Sequence, residues 1–199
     1  IKTMSKYENI CNHIHLPVQS GSNSVLEKMN RKHTREEYIE LIDKIKKIIP
    51  DCGISHDMIA GFPDENEKDH KDTLSLMEYV KYDFGFMFSY SERPGTPAAK
   101  KMKDNVAEET KKRRLQEIID LQQLHSKYRL NLMIGKKVCV LIEKSSKRSD
   151  EFWSGRTSQN NVVVFPKENY NVGDFVDVEI KEATSATLKG NAIEISSNI

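Results

Sequence analysis

Three loops hold the residues best suited to small-molecule chemistry. In His15-Leu-Pro-Val-Gln-Ser-Gly21, Gln19 and Ser20 place a carboxamide and a hydroxyl beside a glycine that admits close backbone approach. Such groups suit a ribose or an amino-acid headgroup, and a plain tight turn would use the same residues. Arg31, in Met29-Asn-Arg-Lys32, offers a guanidinium able to grip a carboxylate bidentately, or an ordinary exposed charge. In Asp57-Met-Ile-Ala-Gly-Phe-Pro63, Asp57 falls opposite Met58 on a strand and needs a partner if it points inward. Gly61 there leaves room for a purine or methionine moiety to approach the backbone. His13 and His15 have the i, i+2 spacing of a ligand pair, but no Cys or carboxylate adjoins them in sequence. Hydrogen-bonded interior imidazoles are the commoner use, and no metal site is expected.

A second set suits polyanions. Lys111, Lys112, Arg113 and Arg114 form one basic run, which a solvated helix face would equally explain. Lys147, Arg148 and Arg156 are interleaved with Phe152, Trp153 and Phe165, the mixture that tracks phosphates and stacks bases. Trp153 and Phe165 also serve as core for a small barrel, the favoured reading for those two.

Positioning the three loops requires strands that end where the loops begin. Asn12–Val18 alternates Ile14, Leu16 and Val18 with His13, His15 and Pro17, a strand of period two. Ser24-Val-Leu-Glu27 has the capping-box pattern for a short helix through Met29, and Thr34-Arg-Glu-Glu37 repeats it. The second signal starts a longer helix with a stripe of Tyr38, Leu41, Ile42, Ile45, Ile48 and Ile49, ended by Pro50. A second strand spans about residues 53–62. Asn66 caps the next helix, with Leu74, Met77 and Val80 as its buried stripe. The third strand lies near Phe84–Tyr90 with Phe84, Phe86, Phe88 and Tyr90 on one face. Strands alternating with helices predict parallel pairing, with loops such as QSGS, GFPDEN and SERPGT along the C-terminal rim. Three units are too few to close a (β/α) barrel, so a partial parallel barrel is the predicted architecture.

Residues 105–133 read as one long helix of about 45 Å, stopped at Gly135 and able to brace two domains. Five short β segments follow, at about 136–143, 151–156, 162–165, 175–181 and 188–195. They predict a small antiparallel barrel of the oligonucleotide-binding type. The division is residues 1–134 for the α/β part with its helix and 135–199 for the barrel.

Composition bounds the rest. The 199 residues are 37% hydrophobic and 31% charged, with a net charge of +1, which fits a soluble globular protein and excludes a disordered chain. No apolar run is long enough for a membrane span. Cys11, Cys52 and Cys139 are too scattered for a disulfide framework or a clustered metal site, and a reducing cytoplasm is expected. The chain begins at Ile1, so a piece of a longer protein is expected.

Taken in order, HLPVQSGSNSVLEKMNRKHTREEY, DMIAGFP and FMFSYSERPGTPAA resemble the C-terminal part of radical S-adenosylmethionine methylthiotransferases. SKRSDEFWSGRTSQNNVVVF, GDFVDVEI and ATLKG are similar to the terminal TRAM domain of the MiaB type. The resemblance implies an enzyme that adds a methylthio group at C2 of N6-isopentenyladenosine beside the tRNA anticodon. It implies two S-adenosylmethionine molecules, one giving a methyl group and one a 5′-deoxyadenosyl radical, and 4Fe-4S clusters. C2–H is inert to ordinary bases, so a radical cofactor takes the hard step. The barrel's CxxxCxxC is absent here, so this chain is expected to hold no cluster and catalyse nothing alone. Its partners would be the missing N-terminal half and tRNA.

By the same resemblance, Gln19, Ser20 and Arg31 lie at the cofactor's ribose and methionine end, Asp57 and Gly61 on the next wall, and Phe88 near the adenine. Lys147, Arg148, Arg156, Lys112 and Arg113 would meet RNA. The family's middle unit usually reads T-D-x-I-x-G-F-P-G-E-T, whereas Asp64 and Asn66 depart from it here; Glu65 is kept and could face the site. Alternatives are a sister methylthiotransferase, acting on threonylcarbamoyl-adenosine or a ribosomal protein, and a non-catalytic RNA-binding module.

Overall fold

The structure, a computed structural model, describes residues 1–147 and 149–196. After a single 3-10 turn at Met4–Lys6, strand β1 (His13–His15) leads into α1 (Asn23–Lys28) and α2 (Arg35–Ile48). Then come β2 (Gly53–Ala60), α3 (Glu67–Val80), β3 (Phe84–Ser89), a short α4 (Pro97–Lys101) and the 24-residue α5 (Glu108–Asn131). Strands β4 (Lys137–Ser145), β5 (Phe152–Thr157), β6 (Val162–Pro166), β7 (Phe175–Ala183) and β8 (Leu188–Ile195) complete it. The chain divides into two compact units, His15–Lys47 with Ile54–His125, and Ile1–Ile14 with Ile48–Gly53 and Ser126–Ile199.

The predicted parallel sheet is present, in the order β1-β2-β3, with β2 and β3 parallel from Ser55↔Phe84 to Ala60↔Ser89. β1 is shorter than its alternation predicts. Pro17 has no N–H to give the ladder, and pairing resumes only at the parallel bridge Gln19↔Met58. Met58 is buried and Asp57 half-buried, the alternation expected of that strand.

The helices pack by the stripes their sequences carry, with local corrections. The Thr34 box forms: Glu37 N donates to Thr34 Oγ1 (3.2 Å) and Thr34 N to Glu37 Oε2 (2.8 Å). The Ser24 box does not, because α1 begins two residues earlier, with Ser22 at the cap position. Ser22 Oγ instead donates to Asp69 Oδ1 at 2.6 Å. Asn66 caps α3 as predicted, in a reciprocal box with Asp69. Its buried stripe is Thr73, Leu76, Met77 and Val80; Leu76, not Leu74, is fully buried, because i, i+4 from Asp69 and Thr73 leads to Met77 and its neighbour. α5 is shorter than the thirty residues predicted, about 36 Å at 1.5 Å per residue. The chain past Asn131 turns through Gly135, which sits at φ +81°.

In the other unit, β4-β5-β6-β8-β7 close into a barrel. It is not purely antiparallel as predicted: β6 and β8 run parallel through Val163↔Leu188 and Val164↔Lys189. A closed ring of five strands cannot alternate direction all the way round, so one neighbouring pair must run parallel, and here it is β6 with β8. Alternate inward residues build the core: Val140, Ile142, Val163, Phe165, Val176, Val178, Ile180 and Leu188 are buried, with Trp153 packed against them. Fully burying side chains of this size contributes about 1.5–3 kcal/mol each before entropy.

Candidate functional site

The inner face of the sheet starts from its pairing register. Ser55, Asp57 and Ile59 on β2 stand beside Phe84, Phe86 and Phe88 on β3. His15 joins that face from β1: its Nδ1 is 2.9 Å from Ser55 Oγ, and its Nε2 is 3.4 Å from Asp57 Oδ1. The imidazole meets Phe86 edge-on, centroids 6.0 Å apart at 75°. Phe86 and Phe88 are 53% and 54% exposed, so this aromatic and acidic face is open rather than filled by the chain's own side chains. His15 is thus a hydrogen-bonded imidazole; among the described residues no group of His, Cys, Asp and Glu could hold a metal.

Gln19, at the isolated bridge beyond β1, has φ +74°, and its backbone N–H donates to Asp57 O while its carbonyl accepts from Ile59 N–H. No partner for its carboxamide is found among the described residues. Ser20 behaves differently: its buried hydroxyl is 3.3 Å from Thr73 Oγ1 and accepts from Ser22 N. A Cβ on Gly21 would lie 2.6 Å from Asp72 O, so that glycine answers to α3. Arg35 was not foreseen. Its guanidinium donates to Gly21 O at 2.9 Å, to Asp72 O and to Ser75 Oγ at 3.0 Å, fixing the loop. The only sequence signal was an arginine in a first helical turn, where acids are favoured. Arg31 is exposed just past α1, whose end is shaped by Asn30 at φ +54°.

Gly61 sits at φ +76°, and a Cβ there would fall 2.3 Å from Lys111 Cγ. Its open side is taken by a lysine stem. Lys111 is 1% exposed and bonds Asp104 (2.6 Å) and Glu108 (2.7 Å). Burial opposes its charge, but those hydrogen bonds outweigh it and hold its pKa above the ordinary value. Glu65 does not face the aromatic surface: Oε1 accepts from Gly61 N–H and Arg114, both at 3.0 Å. Burial wins there, raising its pKa despite Gly61 and Arg114. Half of the basic run is therefore internal, since Lys111 and Arg114 are buried. Arg113 pairs with Glu67 (2.7 Å) and Glu117 (2.6 Å), leaving Lys112 exposed.

On the other face of β2, His56 is buried with Nε2 2.8 Å from Gln122 Oε1 and its ring 4.3 Å from that of Tyr82. Burial pushes its pKa down to about 4 against the Gln122 bond.

The barrel unit carries a groove of about 960 Å³ lined by Lys144, Lys147, Phe152, Arg156, Lys181 and Lys189, with Glu143 and Glu182 among them. Lys147 and Arg156 both line it; Arg148 lies outside the described residues. Arg156 is exposed and holds Asn160 O (3.1 Å) and Oδ1 (2.7 Å), with Glu143 at 3.4 Å. Sequence reading missed Lys144, Lys181 and Lys189. Their outward strand positions, such as Lys189 beside buried Leu188, were the available signal. Phe165 is core, and Lys167 Nζ sits 4.5 Å from the Trp153 ring centroid.

Residues 1–77 match the model of the Radical SAM superfamily, and residues 131–193 that of the TRAM domain. The chain is 67% identical over 198 residues to a tRNA-2-methylthio-N(6)-dimethylallyladenosine synthase of Christiangramia forsetii, covering 100% of this chain and 41% of the relative. The enzyme of that name from Flavobacterium johnsoniae is 65% identical (99% and 41% covered), and that of Bacteroides fragilis 53% (97% and 42%). The chain thus spans about two fifths of the length of these relatives. A solved structure of coproporphyrinogen III oxidase from Escherichia coli matches 93% of this chain and 46% of its own, at TM-score 0.50 and 15% identity, a likeness of fold alone.

Proposed function

The chain belongs to the radical S-adenosylmethionine methylthiotransferase family, and we propose that the protein of which it is part adds a methylthio group to C2 of N6-dimethylallyladenosine beside the anticodon of tRNA. The observation that carries this reading is 67% identity across the whole chain to a relative of that name.

On the open face, the half-buried Asp57 carboxylate and the exposed Phe88 ring suit a charged nucleoside. Gln19, Arg31, Asp57 and Phe88 would hold S-adenosylmethionine there. Ser20 and Gly61 act behind them, as the hydroxyl and the glycine that fix the two loops. When bound, the cofactor supplies a methyl group and a 5′-deoxyadenosyl radical. The chain's own work is to orient it and exclude water.

An iron–sulfur cluster does not fit the residues present. Cys11 is exposed, Cys52 buried and Cys139 intermediate, with no grouping among the described residues. The 4Fe-4S ligands then belong to the parent's N-terminal half, and this chain alone is inactive. The barrel contributes its groove, where Lys147 and Arg156, joined by Lys144, Lys189 and Phe152, track the tRNA backbone. Lys112 and Arg113 add charge from α5. In this reading residues 1–134 are the α/β half and 135–199 the RNA-binding half, and the enzyme works in the cytoplasm. Among the described residues, no helix is long and apolar enough to cross a membrane.

The test is the full-length protein, with reconstituted clusters, given tRNA carrying N6-dimethylallyladenosine and analysed by mass spectrometry. A methylthio gain on that nucleoside is expected. Modification only of threonylcarbamoyl-adenosine, or none, overturns the assignment.

A further inference from the structure

One row of the sheet face fits a ligand that is polar at one edge and apolar at the other. Asp57, which the cofactor reading also uses, pairs in register with Phe86, one row from the Ile59–Phe88 pair. His15, held by Ser55, faces Asp57 and abuts Phe86. On the far side, Phe84 meets Phe86 edge-to-face, centroids 6.2 Å apart at 87°. A face meant only for packing by other strands would not carry a part-exposed carboxylate and imidazole in the row, because covering them with apolar side chains leaves costly unpaired groups. A face meant only for a polar ligand would not hold a half-exposed phenyl ring between them.

N6-dimethylallyladenosine, the nucleoside in the relatives' name, has both properties: a planar purine with hydrogen-bonding edges and a five-carbon alkenyl arm. Resting on the proposed function, we infer that Phe86 and Phe84 are specificity-determining residues that receive the alkenyl arm. His15 and Asp57, held to each other and to Ser55, border the polar edge of the same base. The T-shaped phenyl pair leaves a ring face beside a ring edge, a corner of apolar carbon that discriminates by the arm's methyl groups. The unmodified adenine cannot fill it.

The experiment measures dissociation constants of full-length wild type and Phe86→Ala for two anticodon stem-loops, with and without the dimethylallyl group, and the KM for S-adenosylmethionine. Loss of a well-filled apolar contact weakens binding about tenfold or more. The variant is expected to lose that factor on the prenylated RNA alone, so that discrimination falls while the S-adenosylmethionine KM stays put. Phe86→Leu, which keeps apolar bulk, recovers part of it and carries the test should the alanine variant not fold. Equal weakening on both RNAs overturns the inference. So does a rise confined to the S-adenosylmethionine KM, which gives the row to the cofactor. Unchanged binding with a lower melting temperature also overturns it, assigning the ring to packing against the rest of the protein. If wild type binds both RNAs alike and makes no methylthio product, the functional reading fails instead.

Discussion

His56 makes the α/β unit acid-sensitive by an amount that can be worked out. The imidazole is fully buried on β2, its Nε2 bonded to Gln122 Oε1, its Nδ1 without a partner among the described residues, and its ring against Tyr82. Unfolded, it titrates near 6.5; folded, burial lowers it to about 4. A lowered folded pKa means that the stabilisation is present above 6.5 and drains away as pH falls to 4. Each unit is worth about 1.4 kcal/mol, so about 3 kcal/mol is lost between pH 7 and pH 4 from this residue alone. Other groups contribute to the acid response as well, so the informative quantity is a difference. Urea unfolding of this chain and of His56→Gln, followed by the helical circular dichroism signal, should show wild type losing about 3 kcal/mol more than the variant. The single tryptophan, Trp153, lies in the barrel unit, so its fluorescence reports that unit separately. Parallel loss of stability in the two proteins would refute the argument.

Three further outcomes follow from the packing and the groove. Phe165→Ala should cost about 3–5 kcal/mol, read by Trp153 fluorescence in denaturant, since the ring is fully buried among barrel valines and isoleucines. Gly61→Ala should lower the melting temperature of the α/β unit by more than the roughly 1 kcal/mol of a left-handed alanine, because its methyl would strike the Lys111 stem; an equal or smaller loss would mean that the lysine shifts freely. Joint replacement of Lys147, Arg156 and Lys189 by Ala should weaken tRNA binding and flatten its log–log salt slope by about 0.7 for each phosphate contact removed. An unaltered slope would take the groove out of RNA recognition.

Period and punctuation carried most of the architecture. The barrel strands are visible because Val140, Ile142, Val163 and Phe165 alternate with polar residues and glycines break the runs. The inward alternation of Asp57 against Met58 was equally legible. The partners of charged residues were not, because they depend on long-range placement. Nothing local to Lys111 says that its stem fills the space beside Gly61, fifty residues back, or that Arg114 neutralises Glu65. Composition could not distinguish Ser20, turned inward to Thr73, from Gln19, whose carboxamide is uncommitted. The helix starts show the same limit. Ser24 and Thr34 present the same local pattern, and only the approach of Asp69 to Ser22 decides that the first box stays unused.

The parallel seam between β6 and β8 has a consequence for synthesis. β8 pairs with β7 on one flank and β6 on the other, so before residues 188–195 emerge from the ribosome the nascent ring has two raw margins. Each is an unsatisfied ladder of N–H and C=O groups, open to recruitment by another chain. Ribosomes stalled just short of this stave should yield a sticky, chaperone-dependent product, and a few more codons should turn it into a sealed hoop.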